Sequence, residues 1–156
     1  MRKLGLIAAL SAMLVAVFAV PALAQVFHET PTCTVSGTTV TCTGADISGV
    51  GNEPGSATLI ANYTGDVTCA NPGKGPNNPV EAQGTTLTAA PTTGDVNPKH
   101  GRLTLEGLTA EAPELTAAQE AELCPNPGWD ATLTNVSLVD YSYTITIGGE
   151  TFFTLP

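Results

Sequence analysis

Four cysteines, Cys33, Cys42, Cys69 and Cys124, constrain the fold of this 156-residue chain more than any other feature. In an exported chain an even number of cysteines indicates disulfide bonds, and four allow three pairings. Gly37-Thr38 suits a two-residue type II′ turn with glycine first, and counting outwards from it places Cys33 opposite Cys42. Opposed residues have Cα atoms about 4.5 to 5.5 Å apart, which a disulfide accepts. We therefore predict a Cys33–Cys42 bond, which leaves Cys69 to pair with Cys124.

The N-terminus has the pattern of a secretory signal peptide. Two basic residues precede an uncharged apolar run over residues 4–20, and Ala22 and Ala24 then form an A-x-A cleavage motif. The run is long enough to suggest an uncleaved membrane anchor instead, but the proline and small residues at its end favour cleavage. We expect a signal peptide over residues 1–24, cleaved after Ala24. The secreted product is then a single domain over residues 25–156 without a membrane span.

The charge of the expected secreted product excludes two classes of partner. All 14 acidic residues follow the signal peptide, but only three basic residues do, Lys74, Lys99 and Arg102, which gives a formal charge of −11. Nucleic acids and anionic membrane surfaces are bound through clustered lysine and arginine side chains, and this chain has no such cluster. We therefore expect neither as a partner.

The composition predicts an all-β fold. The chain has 24 threonines, and glycine and proline recur between short runs of alternating polar and apolar residues. Residues 116–122 predict one short helix, which Thr116 caps with Gln119 completing a capping box. We predict an immunoglobulin-like two-sheet sandwich of about seven to nine strands, with a small barrel as the alternative. The predicted strands cover residues 32–36, 39–43, 57–63, 66–69, 80–89, 102–106, 130–139, 141–147 and 151–155.

The last hairpin has two possible registers. A two-residue Gly148-Gly149 turn followed by regular pairing would place Phe153 opposite a polar threonine. A three-residue loop that includes Glu150 places Phe153 beside Ile145, so that both side chains face the core. Since a slip of one residue turns every side chain to the other face, burial favours the three-residue loop with a glycine-bearing bulge.

The pattern C-x-N-P-G occurs twice, over residues 69–73 and 124–128. Proline followed by glycine suits the central positions of a type II turn, and the preceding asparagine can brace it. A disulfide between the two copies would hold two turns together at one end of the sandwich, where loops on a rigid scaffold often bind ligands. The residues predicted as a possible binding loop are Asn71, Pro72, Gly73, Asn126, Pro127, Gly128 and Trp129.

On these stretches the chain resembles a group of small secreted bacterial proteins. Members carry C-x-N-P-G after a threonine-rich strand and C-P-N-P-x-W before the last strands, which matches residues 68–75 and 124–133 here. The turns between the predicted strands are similarly placed over most of the chain after the signal peptide, although the Cys33–Cys42 hairpin lies outside the matched stretches. The resemblance implies a β-sandwich with a paired cysteine, and it implies no activity because the group has no assigned one.

No pattern in the chain indicates catalysis. There is no G-x-S-x-G motif, and His28 and His100 have no spacing typical of a catalytic pair or a metal site. We therefore predict no catalytic residues, no metal site and no cofactor, although loose calcium binding by loop oxygens stays open. The leading hypothesis is a non-enzymatic extracellular or cell-surface interaction module whose partner is an unidentified protein or glycan.

Two other functions remain open. A carbohydrate-binding or small glycan-hydrolysing domain would use aromatic side chains such as Trp129, Tyr141 and Tyr143, but a lone tryptophan in a sandwich is more often part of the core. The other alternative is a structural component of a surface layer.

Overall fold

A computed structural model of the chain describes residues 24–71, 73, 79–124, 126 and 128–156. The predicted signal peptide, except for Ala24, therefore lies outside the described residues, as do Pro72 and Pro127. No described helix is long and apolar enough to cross a membrane. The strands are β1 (Val26–Glu29), β2 (Cys33–Ser36), β3 (Thr39–Cys42), β4 (Ala45–Ser48), β5 (Gly55–Ala70), β6 (Pro79–Ala89), β7 (Arg102–Leu105), β8 (Leu108–Ala110), β9 (Asp130–Ile147) and β10 (Glu150–Leu155), with helix α1 (Ala117–Leu123) before β9.

The strands form two layers. One layer is a four-stranded sheet with the order β10-β9-β5-β6, and the other consists of two three-stranded sheets, β1-β4-β7 and β2-β3-β8. These two small sheets are halves of one bent sheet, because both paired strands have the same number of residues between the last pair of one half and the first pair of the other. Cys42 lies opposite Leu108 on one side of the bend, and Ala45 lies opposite Leu105 on the other.

Two glycines allow the strands to approach at this bend. A Cβ atom on Gly107 would lie 2.8 Å from the carbonyl oxygen of Cys42, and one on Gly44 would collide with the carbonyl oxygen of Leu105. If β1/β2, β3/β4 and β7/β8 are each counted as one bent strand, the sandwich has seven strands in chain order. Their spatial order is then 1-2-5 in one layer and 7-6-3-4 in the other. This arrangement confirms the predicted immunoglobulin-like two-sheet sandwich.

The main core fills the space between the two layers. Alternate residues of β5 point inwards, and they pack against apolar residues of β9 and of the bent sheet. The largest fully buried side chains of this core are Tyr63, Tyr143, Ile47, Leu59, Leu103, Leu105, Ile145 and Val40. A second, smaller cluster of Val67, Cys69 and Cys124 lies beyond it, where β5 and β9 extend past the bent sheet.

The first hairpin has the predicted register and disulfide. Cys33 pairs with Cys42, and their Cα atoms are 4.0 Å apart across the bond. Gly37 has a φ of 62°, as the first central residue of a type II′ turn requires. The second predicted bond, Cys69–Cys124, is also present, and the described residues include no free cysteine.

The last hairpin differs from the prediction in where its extra residue lies. Phe153 pairs with Ile145 and Leu155 with Tyr143, as burial required. However, the turn has two residues, because Glu150 pairs directly with Ile147, and the register shifts between Thr151 and Phe153. The prediction of a three-residue loop is therefore wrong: the extra residue is a bulge inside β10, which brings Phe153 to the core face after a tight Gly148-Gly149 turn.

The other strand boundaries depend on pairing between segments that are distant in sequence. β5 and β9 each run continuously through positions where two strands were predicted, while β1, β4 and β8 were not predicted. The helix is confirmed with its capping box. Gln119 N donates to Thr116 Oγ1 at 3.3 Å, and Thr116 N donates to Gln119 Oε1 at 2.9 Å.

Candidate functional site

The Cys69–Cys124 bond joins the two C-x-N-P-G copies at one end of the four-stranded sheet. The Cα atoms of the two cysteines are 5.7 Å apart, and the bond links the end of β5 to the segment before β9. We call this region the stapled end; its described residues are 69–71, 73, 124, 126, 128 and 129. The structure thus brings the two predicted turns to the same end of the molecule.

The two copies do not turn in the same way. In the second copy, Trp129 N donates to Asn126 O at 3.2 Å and Gly128 has a φ of 90°, as in the predicted type II turn. In the first copy, Gly73 lacks a positive φ and instead donates its N–H to Asn71 Oδ1 at 2.9 Å. The same motif therefore gives a type II turn in one place and a turn braced by an asparagine side chain in the other.

The aromatic residues considered for sugar stacking contribute to packing. Trp129 is half-buried and contacts the cluster formed by Val67 and the Cys69–Cys124 bond. Tyr143 is fully buried in the main core, and the half-buried Tyr141 packs against it. Packing therefore accounts for at least part of the surface of each of the three side chains.

The outer face of β6, β5 and β9 carries a row of polar side chains that the sequence analysis did not identify as a site. We call it the polar face. Its side chains are joined across neighbouring strands by hydrogen bonds, which restrict their rotamers. These bonds connect Asn62 Nδ2 to Asp140 Oδ1 (2.6 Å), Thr88 Oγ1 to Asn62 Oδ1 (2.9 Å), Thr64 Oγ1 to Ser137 Oγ (3.0 Å) and Asn135 Nδ2 to Asp66 Oδ2 (2.9 Å).

The polar face has a depression of about 590 Å³ near the stapled end. Its lining includes Thr64, Asp66, Thr86 and Asn135. Gly84 lies opposite Asp66 on β6, and no atom would lie within 4 Å of a Cβ placed there, so the missing side chain keeps the depression open.

A β-bulge positions the amide of Asn135 at this depression. The pairing of β5 with β9 shifts between Thr64 and Asp66, and Asn135 adopts a φ of 52° at the shift. Asparagine tolerates this left-handed conformation better than most residues. Because Asn135 donates to Oδ2 of Asp66, Oδ1 keeps its lone pairs without a protein donor among the described residues.

The pKa shifts have structural causes away from this depression. Burial raises the pKa of Tyr63 and Tyr143, whose hydroxyls have no hydrogen-bond partner in the described part of the chain. On the outer side of the bent sheet, a hydrogen bond from Arg102 lowers the pKa of Asp46; Nε lies 2.6 Å from Oδ1. Within the described ranges, no three or more His, Cys, Asp or Glu side chains converge as a metal site would require.

Comparisons with protein-family models, with curated proteins and with solved structures find no match to this chain. The candidate site therefore depends on its own geometry. The signal that could have found it is the alternation of threonine with apolar residues along β5 and β6, which predicts an outer polar face but not its partners. Asp66 and Asn135 are 69 residues apart, and only the register brings them together.

Proposed function

We propose that this chain is exported and acts as a non-enzymatic interaction module, which binds an extracellular partner through the polar face and the adjoining stapled end. Two disulfides fit a protein that works outside the cell. The predicted signal peptide gives the route of export. The resemblance to small secreted proteins supports the same compartment.

The observation that carries the proposal is the hydrogen-bonded order of the polar face. A binding surface loses affinity when it must order mobile side chains on association. Here Thr64, Asp66 and Asn135 are already held by cross-strand hydrogen bonds around an open depression. The Asn135 conformation adds to the argument, because unusual backbone angles in non-glycine residues often occur at binding sites.

A neutral glycan is the second candidate, favoured by the chemistry of the depression. The hydroxyls of Thr64 and Thr86 can donate and accept, the free oxygen of Asp66 can accept, and Asn135 supplies an amide. Sugar hydroxyls match this mixture, while the excess of acidic residues disfavours an anionic polymer. The described lining of the depression includes no aromatic side chain, so such binding would depend on hydrogen bonds rather than stacking.

The test places bulk in the depression without changing the core. The double variant Thr64→Arg/Thr86→Arg fills it from two exposed positions, while Thr109→Arg makes the same change on the opposite layer. We would measure binding of labelled secreted protein to intact producing cells, and its retardation in gels that contain soluble neutral polysaccharides. We expect the double variant to lose at least tenfold in binding and Thr109→Arg to bind like the natural protein.

A second variant addresses the stapled end. Replacing residues 71–79 by a Gly-Ser linker leaves Cys69 in place and removes the first turn. If this replacement and the double arginine variant both bind cells as the natural protein does, the proposed surface is wrong. Loss of cell binding without any polysaccharide retardation would remove the glycan candidate and keep a protein partner.

A further inference from the structure

One edge of β9 is unpaired over most of its length. β10 pairs with β9 only between Tyr143 and Ile147, while β9 continues back to Asp130 with β5 along its other edge. Within the described chain, no backbone hydrogen bond connects residues 130–142 to any segment other than β5. An open strand edge of this kind presents unpaired N–H and C=O groups to a further strand.

Bulges restrict the regular part of this edge to its first residues. The β5–β9 register shifts around Asn135 and again between Leu138 and Asp140. By contrast, residues 130–134 pair with residues 66–70 without a break. Bulges hinder the addition of a strand, so residues 130–134 are the segment that can receive one.

A groove of about 500 Å³ runs along this regular segment. It touches the consecutive residues Ala131, Thr132 and Leu133, and its other wall is residues 112–115. Successive side chains of a strand point to opposite faces, so a cavity that touches all three lies along the strand edge. Residues 112–115 have no regular structure and make no backbone hydrogen bond to other described segments, so the groove has unpaired backbone on both sides.

The side chains of the groove define what can occupy it. Its apolar lining comes from Ala112, Leu115, Leu133 and Val136, while Glu114 and Glu120 are exposed at its rim. Among the residues that the structure describes, no basic side chain lines it. An occupant therefore needs apolar side chains on one face and a positive charge at its end to match the two carboxylates.

We propose that this groove binds an extended peptide segment of a partner protein, which adds as a strand to residues 130–134 of β9. Main-chain hydrogen bonds to the open edge hold the peptide, alternate apolar side chains enter the groove, and a flanking lysine or arginine pairs with Glu114 and Glu120. This surface is separate from the depression on the polar face. The proposed function therefore does not depend on peptide binding in the groove.

The test uses the whole secreted protein and three synthetic peptides with blocked ends. The probe is Arg-Val-Thr-Val-Thr-Val-Arg; one control replaces both arginines by glutamates, and the other replaces the central valine by proline, which cannot donate to the ladder. We expect saturable binding of the probe, at least tenfold weaker binding of either control, and slower amide exchange over residues 130–134 when the probe is bound. Absence of saturable binding, equal binding of the proline peptide, or protection located elsewhere would overturn the proposal.

Matched variants of the protein locate the site. Ala112→Phe fills the groove and should reduce probe binding at least tenfold, whereas Ala118→Phe, on the exposed side of α1, should not change it. If Ala112→Phe fails to fold, Glu114→Lys at the exposed rim should weaken the arginine peptide and strengthen the glutamate peptide. Thr64→Arg/Thr86→Arg should bind the probe normally, so that failure of the polar face and failure of the groove are distinguishable. Unchanged probe binding by both Ala112→Phe and Glu114→Lys would contradict the assignment.

Discussion

The strands β5 and β9 run through both the main core and the stapled end, but different interactions stabilise the two regions. Between the two layers, both faces of the core are sheet, and large side chains such as Leu59, Tyr63 and Ile145 are fully buried. At the stapled end, the same four-stranded sheet is covered by the segment that carries α1, over a small cluster that contains three buried side chains among those the structure describes. Burial stabilises the first region, and a covalent bond over a small cluster stabilises the second.

This difference shows how a sheet can extend beyond its partner layer. Val67 and Cys69 would face solvent where the bent sheet ends, and the cover that replaces it includes the half-buried Leu115, Leu123 and Trp129. A cover of this size buries little apolar surface, so it gains little from the hydrophobic effect alone. The disulfide supplies what the packing does not. We expect the two regions to respond differently to the loss of a disulfide and to the truncation of a buried side chain.

The largest effect should follow removal of the Cys69–Cys124 bond by the double substitution Cys69→Ser/Cys124→Ser. The bond joins residues 55 apart, for which the chain-entropy model gives about 4 kcal/mol of stabilisation. Denaturant unfolding measures the loss, and amide exchange should rise over residues 67–70 and 130–133 before it rises in the main core. The matched control, Cys33→Ser/Cys42→Ser, opens a bond of sequence separation 9 and should cost about 3 kcal/mol or less. A larger loss in the control would contradict this ranking.

A smaller loss should follow truncation of the main core. Leu59→Ala leaves a cavity between two sheets, and we expect the free energy of unfolding to fall by about 3 kcal/mol. Val67→Ala at the stapled end removes two methyl-sized groups under a thinner cover, which predicts about 1.5 kcal/mol. Both values come from the same denaturation experiment. Because Leu→Ala removes one carbon more than Val→Ala, equal losses would mean that the stapled end is packed at least as tightly as the main core.

The smallest effect concerns the ion pair on the outer side of the bent sheet. Arg102 lowers the pKa of Asp46 below its ordinary value of 3.8, so the folded state favours the charged carboxylate. The pair therefore stabilises the fold above that pH, and the stabilisation is lost as the pH falls through the lowered pKa. We expect Asp46→Asn to reduce the melting temperature slightly at neutral pH and progressively less as the pH falls below 3.8. A difference that persists unchanged at the acidic end would show that the charge is not responsible.

The parts of the fold that the sequence predicted are those with local causes. The first hairpin follows from a glycine-first turn and two opposed cysteines, all within residues 33–42. The helix follows from Thr116 and Gln119, three residues apart. In both cases the residues that decide the structure lie within one turn or one hairpin, so the sequence alone contains the information.

The parts that were wrong or missed depend on distant partners. β1 and β4 lack strong strand patterns; β1 forms because it pairs with β4, and β4 forms because it pairs with β1 on one side and β7 on the other. The bulge near the start of β10 arises because Phe153 must reach the core after a tight turn, and the strand absorbs the extra residue where a loop was predicted. The depression on the polar face depends on Asp66 and Asn135 meeting across β5 and β9, which only the register determines.

The two strands that pass through the bend have equal numbers of residues there, and this limits how the chain can change in length. Cys42 pairs with Leu108 before the bend, and Ala45 pairs with Leu105 after it. The present pairing of β4 therefore requires that both strands have equal numbers of residues between these two pairs. Inserting one residue beside Gly44 alone would turn Ala45 and Ile47 towards solvent and expose the apolar half of the layer. An insertion of equal length beside Gly107 would restore the pairing of the two strands, so length changes in the two segments are coupled.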